Sequence, residues 1–298
     1  MKQRSKNCQP FIKWVGGKRN LLHQILPLLP DDFNAYHEPF LGGAALFFEL
    51  FSMGKLKNKE VYLSDINTEL INAYQVVKTN PEKLIEELLR FKQNHSETFY
   101  HEVLVWDRKT DFAEMCPIKR AARFIYLNKT CYNGLYRVNQ KGFFNVPMGR
   151  YKDPKICDSE TIFACSYALK HAIIEHVSYQ KVIHLAKAND LVYFDPPYYP
   201  LNKTSSFTAY SKNSFSQKEQ TELFETFDVL AQRNVWVFLS NSSTPFIMDL
   251  FKKYHTKTLE AHRFINCKGK NRSKVNEILV CPCPHYNKLE PTGTKDLS

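Results

Sequence analysis

The chain has 298 residues, with 41 Lys or Arg against 30 Asp or Glu, a formal net charge of +11 when histidines are neutral. A surplus of that size points to a polyanionic partner, either nucleic acid or an anionic membrane surface. Nucleic acid is favoured, because no segment approaches the apolar length needed to span a bilayer and the start, Met1 to Cys8, has no apolar stretch. The hydrophobic share of 43% and aromatic share of 14% suffice for a well-filled core. Eight scattered cysteines without a secretory signal lead to an expectation of free thiols in a reducing, cytoplasmic compartment. The one tight group, Cys281, Cys283 and His285, lacks CxxC spacing and a second ligand pair, so no metal is expected.

In chain order, Ala35 to Phe40 reads as a strand, Leu41 to Ala44 as a small-residue turn and Leu46 to Met53 as a helix. Glu60 to Ser64 reads as a second strand, ended by Asp65, with a helix from Glu69 to Lys78. That alternation predicts a parallel sheet covered by helices. Residues 76–155 read as helical and then irregular. Within 118–155 stand nine Lys or Arg, seven aromatics and a single acid, Asp153. The strand–helix rhythm then returns: Asp190 to Phe194, a helix over Gln217 to Leu230, a strand over Val235 to Leu239, and a last strand over Lys274 to Val280. An α/β sheet of Rossmann-like type with one insertion accounts for this order. The boundaries are 1–75 and 156–285 for the sheet unit, 76–155 for the insertion and 286–298 for a flexible tail.

Parallel strands place ligands beyond their carboxyl ends. Phe40, Gly42 and Gly43 would let the backbone approach a ligand, and Asp65 about twenty residues on suits the diol of a ribose. A dinucleotide fits poorly, because G-x-G-x-x-G spacing would put the bulky Phe47 at its third position. A Walker loop fails because Arg19 follows Gly16, Gly17 and Lys18, and Ile12 stands at the leading position. The sharpest feature is Asp195-Pro196-Pro197-Tyr198. Two prolines supply no N–H and fix φ, so the carboxylate and nearby carbonyls are acceptors in set positions beside a ring. Two acceptors gripping both protons of an exocyclic amine would turn its lone pair toward a methyl donor, and the ring would hold a base swung out of a duplex.

These motifs together resemble the DNA amino-methyltransferases of the alpha group, specifically the Dam-like, D12 class of adenine-N6 methyltransferases. The resemblance rests on Phe11 to Lys18, Glu38 to Gly43, Leu127 to Lys129, Tyr132 to Arg137, Phe144 to Pro147, Gly149 to Lys152, Asp195 to Tyr198, Phe207 to Tyr210 and Ser240-Asn241, in that order. It implies S-adenosylmethionine as methyl donor, with Trp14, Lys18, Asp65 and Asp195 contacting it. It implies that Asp195 and the Pro197 carbonyl accept from adenine N6 while Tyr198 stacks on the ring. Ala44 departs from the family's second glycine, and Val138 stands where Tyr is usual.

For reading double-stranded DNA, Arg137 suits bidentate bonds to guanine, and Leu135 and Pro147 suit a thymine methyl. Tyr132 would fill the space of the extruded adenine and Asn133 contact the orphaned base, while the family pattern places Lys13 on the first guanine. Lys129, Lys141, Arg150 and Lys152 suit phosphates. A second basic cluster over 252–274 suits backbone clamping, and Ser205 to Ser216 suits a loop closing over the base. The expected function is methylation of adenine N6 in duplex DNA, in GATC, by a monomer in the cytoplasm of a prokaryotic or phage-infected cell. The alternatives are the same chemistry at another site or beside a restriction enzyme, a cytosine-N4 or RNA methyltransferase, and a catalytically silent sequence-specific DNA-binding protein.

Overall fold

The computed structural model describes residues 8–200, 215–261 and 275–282. Its strands are β1 (Tyr36–Glu38), β2 (Val61–Asp65), β3 (Ile173–His176), β4 (Leu191–Phe194), β5 (Trp236–Ser242), β6 (His255–Ala261) and β7 (Val275–Cys281). Its α-helices are α1 (Leu22–Ile25), α2 (Ala45–Ser52), α3 (Thr68–Thr79), α4 (Pro81–Gln93), α5 (Glu97–Leu104), α6 (Pro117–Thr130), α7 (Ser159–Leu169), α8 (Val182–Leu185), α9 (Gln217–Gln232) and α10 (Pro245–Leu250). The strands form one seven-stranded sheet in the order β3-β2-β1-β4-β5-β7-β6. The first five positions pair in parallel, and β7 lies antiparallel between β5 and β6.

The central strand β4 reads Leu-Val-Tyr-Phe and is buried throughout, as a parallel strand covered on both faces must be. Its side chains alternate: Leu191 and Tyr193 join one apolar cluster, Val192 and Phe194 the other. The first cluster lies under α2, α3, α6 and α7, and the second under α9 and α10. Helix α3 is started by the Asn67 side chain, which accepts from the Leu70 N–H at 3.1 Å. It then buries Leu70, Ile71, Tyr74 and Val77 on one stripe. Ser216 and Glu219 form a capping box at the start of α9.

Helices α4, α5 and α6 and the segment to residue 158 lie between α3 and α7 in the chain. Their apolar side chains, among them Leu88, Phe91, Tyr100 and Phe124, belong to the same cluster as Leu63 and Tyr74 of the sheet half. The insertion therefore shares its core with the sheet.

Strands β3 and β6 have no counterpart in the sequence reading. Both are edge strands, and β3 leaves Ile173 and His176 exposed, so neither carries the buried apolar run that marks β4. Strand β5 runs past Leu239 through Ser240 and Asn241, because pairing with Leu279 and Ile278 of β7 extends it. Among the described residues no helix is long and apolar enough to cross a membrane. Lys274, Ser205 to Ser214, Cys283, His285 and the part of the second basic cluster from residue 262 on lie outside the described residues, and Cys281 is buried in β7.

Candidate active site

Strand order decides where the site lies. From β1 the chain builds outward through β2 to β3, then returns to β4 beside β1 and builds the other way. The two strands that flank this reversal diverge into their following loops, which opens a crevice at their carboxyl ends. Glu38 and Phe194 end those strands, so the turn through Gly42 and the segment from Asp195 to Tyr198 face one crevice. Asp65 ends the neighbouring β2.

On the glycine side, Gly42 has a φ of +45°, where a Cβ would also stand 2.7 Å from the Trp14 indole. Gly43 is nearly as tight, with a Cβ 3.2 Å from the Trp14 Cβ. The Gly42 N–H donates to Asp65 Oδ2 at 3.2 Å, and the Asn67 N–H donates to Asp65 Oδ1 at 2.9 Å. Each carboxylate oxygen thus keeps a lone pair, enough to accept from the two hydroxyls of a ribose. Burial raises the Asp65 carboxyl above the usual carboxylate value, against the Asn67 and Gly42 N–H groups that lower it. A nucleoside-bearing methyl donor fits this donor set. Ala44 adopts φ +52° at the start of α2, a left-handed conformation that glycine would take without strain. Phe40 turns elsewhere: its ring stacks on Tyr179 at 5.1 Å and meets Phe194 and Phe215 edge-on.

On the proline side, Lys18 Nζ lies 2.7 Å from Asp195 Oδ1, with the lysine side chain 3% exposed and the aspartate 21%. The same ammonium donates to the Gly16 carbonyl and sits 4.6 Å above the Tyr198 ring. Burial raises the Asp195 carboxyl, and the Lys18 ammonium opposes that rise. The Tyr198 hydroxyl donates to Glu277 Oε2 at 2.6 Å, and Glu277 lies 3.9 Å from Lys18 Nζ. The Pro197 carbonyl accepts from Gln220 Nε2 at 3.0 Å, whereas the Pro196 carbonyl accepts no hydrogen bond among the described residues. Gln220 is fully buried, takes a bond from Asn241 at 3.0 Å, and Asn241 in turn accepts from the Tyr199 N–H at 3.2 Å. This chain of amides fixes the segment from beneath. Behind β1, burial pushes the Glu38 carboxyl up to about 8, with the Tyr36 hydroxyl donating to it at 2.8 Å.

The residues read as DNA-facing come together on one surface. Tyr132 N–H bonds the Pro147 carbonyl at 2.8 Å, and Gly149 N–H bonds the Thr130 carbonyl at 2.8 Å. Arg137 to Asn145 folds as a small hairpin through the Val138–Phe144 bridge. Tyr132 is 47% exposed, and Asn133 beside it is exposed at φ +55°. Arg137 is exposed, with Nε and one Nη held by Asn145 at 2.8 and 3.1 Å. Pro147 and Arg150 are exposed, and Leu135 is half-buried. Lys13 joins this surface through Asn128, a buried amide that accepts from the Lys13 N–H and donates to the Lys13 and Gly134 carbonyls. Lys13 Nζ lies over the Tyr151 ring at 4.4 Å. Burial, with Lys13 nearby, holds Lys129 down to about 8.

Sequence reading had assigned no role to Glu38, Asn128, Tyr136, Gln220 or Glu277. Glu38, Asn128 and Tyr136 each fall within a motif that carries the family resemblance, whereas Gln220 and Glu277 have no local signal.

A seven-stranded sheet with this order, an acid at the end of β2 and a half-buried carboxylate beside an aromatic ring at the end of β4 defines the class: a methyltransferase dependent on S-adenosylmethionine. The family model for D12 class N6 adenine-specific DNA methyltransferase matches residues 14–265, and the chain belongs to that family. It is 43% identical over 276 residues to a type II methyltransferase of Lactococcus lactis subsp. cremoris, covering 92% of this chain and 95% of that one. It is 42% identical over 286 residues to a type II methyltransferase of Methanocaldococcus jannaschii, covering 91% and 98%. It is 34% identical over 279 residues to the DNA adenine methylase of Escherichia coli K12, covering 92% and 95%. The enzyme is therefore an adenine-specific DNA methyltransferase, as the motifs implied.

Proposed function

We propose that this enzyme methylates N6 of an adenine flipped out of double-stranded GATC, acting as a monomer. The observation that carries the chemistry is the Lys18 ammonium, donating to Asp195 at 2.7 Å while lying 4.6 Å above the Tyr198 ring. A nitrogen bearing N–H donors already stands against both groups, which is the placement an exocyclic amine stacked on Tyr198 needs. Entry of the base requires Lys18 to yield one of its bonds.

S-adenosylmethionine, when bound, supplies a methyl group on a sulfonium whose departure leaves a neutral thioether. Asp65 would hold the ribose hydroxyls, with Gly42, Gly43 and Trp14 forming the wall beside them. Asp195 would accept one N6 proton. The second acceptor is best assigned to the Pro196 carbonyl, because the Pro197 carbonyl already accepts from Gln220. The two acceptors turn the N6 lone pair out of conjugation and toward the methyl. Burial favours the neutral carboxyl of Asp195, so Asp195 is suited to hold the proton N6 sheds. Most of the acceleration comes from this positioning.

GATC is supported by Arg137, Leu135, Pro147, Tyr132, Asn133 and Lys13 falling on one surface at the family's positions, with Arg150 and the half-buried Lys129 left for phosphates. The insertion over 76–155 would be the target-recognition unit. A second reading, the modification partner of a restriction system, is favoured by the 43% and 42% identity to type II methyltransferases. Expression in a host lacking adenine methylation, followed by mapping of modified bases, tests all of this. N6-methyladenine confined to GATC and lost in Asp195→Ala is the expected result. Methylation at another motif refutes the site while leaving the chemistry, and duplex binding without methyl transfer refutes the chemistry.

A further inference from the structure

A chain of contacts joins the expected cofactor site to the expected base-reading segment. Gly42 N–H bonds Asp65, and Asn67 N–H bonds the other Asp65 oxygen. The Asn67 side chain lies near the Tyr136 hydroxyl, where it opposes the rise that burial imposes on that phenol. The Tyr136 ring stacks on Trp14 with centroids 5.7 Å apart and planes 21° apart. Trp14 in turn packs on Gly42, with no room for a Cβ between them.

Tyr136 is also the residue between Leu135 and Arg137. Its ring points inward to Trp14, Phe124 and Phe144, whereas Arg137 is exposed and held by Asn145. The Trp14 stack holds one residue of the reading segment by its ring face, and Asn67 flanks its hydroxyl. Each side ends on a group that would touch the methyl donor: Trp14 through the ring face, Asp65 through Asn67.

We infer that Tyr136 is a positioning residue that couples occupancy of the cofactor site to discrimination of the DNA site. The inference rests on the proposed roles of Trp14, Asp65, Leu135 and Arg137. A ligand on Asp65 and against Trp14 restrains both before DNA arrives, so Tyr136, and with it Leu135 and Arg137, is held in the reading geometry. Because coupling is reciprocal in free energy, the correct duplex tightens the cofactor site by the same factor.

The test is calorimetric titration of the full chain with S-adenosylhomocysteine, which cannot transfer a methyl group, alone and with a duplex carrying the mapped methylation site. The native protein is expected to bind S-adenosylhomocysteine about tenfold more tightly with the cognate duplex, and to show no such gain with a scrambled duplex. In Tyr136→Ala the gain falls below about threefold, while affinity for each ligand alone stays within about threefold of native. In Tyr136→Phe, which keeps the stack and removes the hydroxyl beside Asn67, the gain is intermediate; this variant decides the matter should the alanine variant not fold. A full gain retained in either variant overturns the inference, as does a loss explained entirely by weaker binding of one ligand alone. Native protein that binds both ligands without coupling sinks this inference only, whereas native protein that binds neither sinks the functional reading.

Discussion

Lys18 and Asp195 form the most buried ion pair of the site, and replacing Lys18 by methionine isolates what that pair contributes. Methionine fills most of the lysine stem and removes the ammonium. Taking one partner from a fully buried pair costs about 3–5 kcal/mol, because the remaining charge stays desolvated. Here the Asp195 side chain keeps 21% of its surface in water, which reduces the expected loss to about 2–3 kcal/mol. In a chain of this size that lowers the melting temperature by roughly 4–12 °C. The pH dependence follows from the carboxyl's direction. Burial already raises Asp195, and removing the opposing ammonium raises it further. Stability tied to a carboxyl raised in the folded state is present below its ordinary value and lost as pH rises through the folded value. The deficit of Lys18→Met relative to native protein is therefore largest near pH 8 and shrinks toward pH 5. Urea unfolding at both pH values, together with Asp195→Asn and the double variant, provides the assay. The double variant should recover at least about 1 kcal/mol over the sum of the single losses. Additive losses, or a deficit independent of pH, would show that the pair does not hold the site in this way.

Four further outcomes are expected. Gly42→Ala meets both a left-handed backbone and the Trp14 indole, so binding of S-adenosylhomocysteine should weaken at least about tenfold by calorimetry, a loss of some 1.4 kcal/mol. Ala44→Gly instead releases left-handed strain and should leave thermal stability unchanged within about 1 kcal/mol. Gln220→Leu leaves the Asn241 amide and the Pro197 carbonyl without their shared partner. It should lower the rate of single-turnover methyl transfer about tenfold or more while affinity for duplex is retained, and an unchanged rate would separate Gln220 from the geometry of Asp195. Arg137→Ala should relax discrimination at one base pair by roughly 1–3 kcal/mol, read as transfer to duplexes substituted singly across the site. Uniform weakening across all duplexes would reassign Arg137 to phosphate.

The parts of this protein that sequence alone determined are those whose chemistry is local. Two prolines after an aspartate stiffen a turn wherever they stand, and glycine at 42 permits a positive φ regardless of what lies across from it. The buried run Leu191 to Phe194 and the stripe through Leu70, Ile71, Tyr74 and Val77 carried their periods in the chain, so the sheet and its first helices were legible. The basic, aromatic run over 118–155 announced a polyanion for the same reason: charge density is a property of the segment itself.

Tertiary structure decided what depends on partners far along the chain. The edge strands β3 and β6 lack a buried apolar signature, because an edge strand is half-solvated and its identity comes from the strand it pairs with. Glu277 reaches Tyr198 only because β7 inserts antiparallel beside β5, and nothing in the residues around 277 foretells that neighbour. Gln220, on a helix otherwise read for its apolar stripe, becomes the bolt under Pro197 by facing Asn241 across the layer. Tyr136 and Asn128 act the same way, bringing residues 13 and 14 against the reading segment over more than a hundred positions of chain. Hydrogen bonds and ring contacts of this kind are set by the meeting of two surfaces, and a surface exists only after the chain has folded.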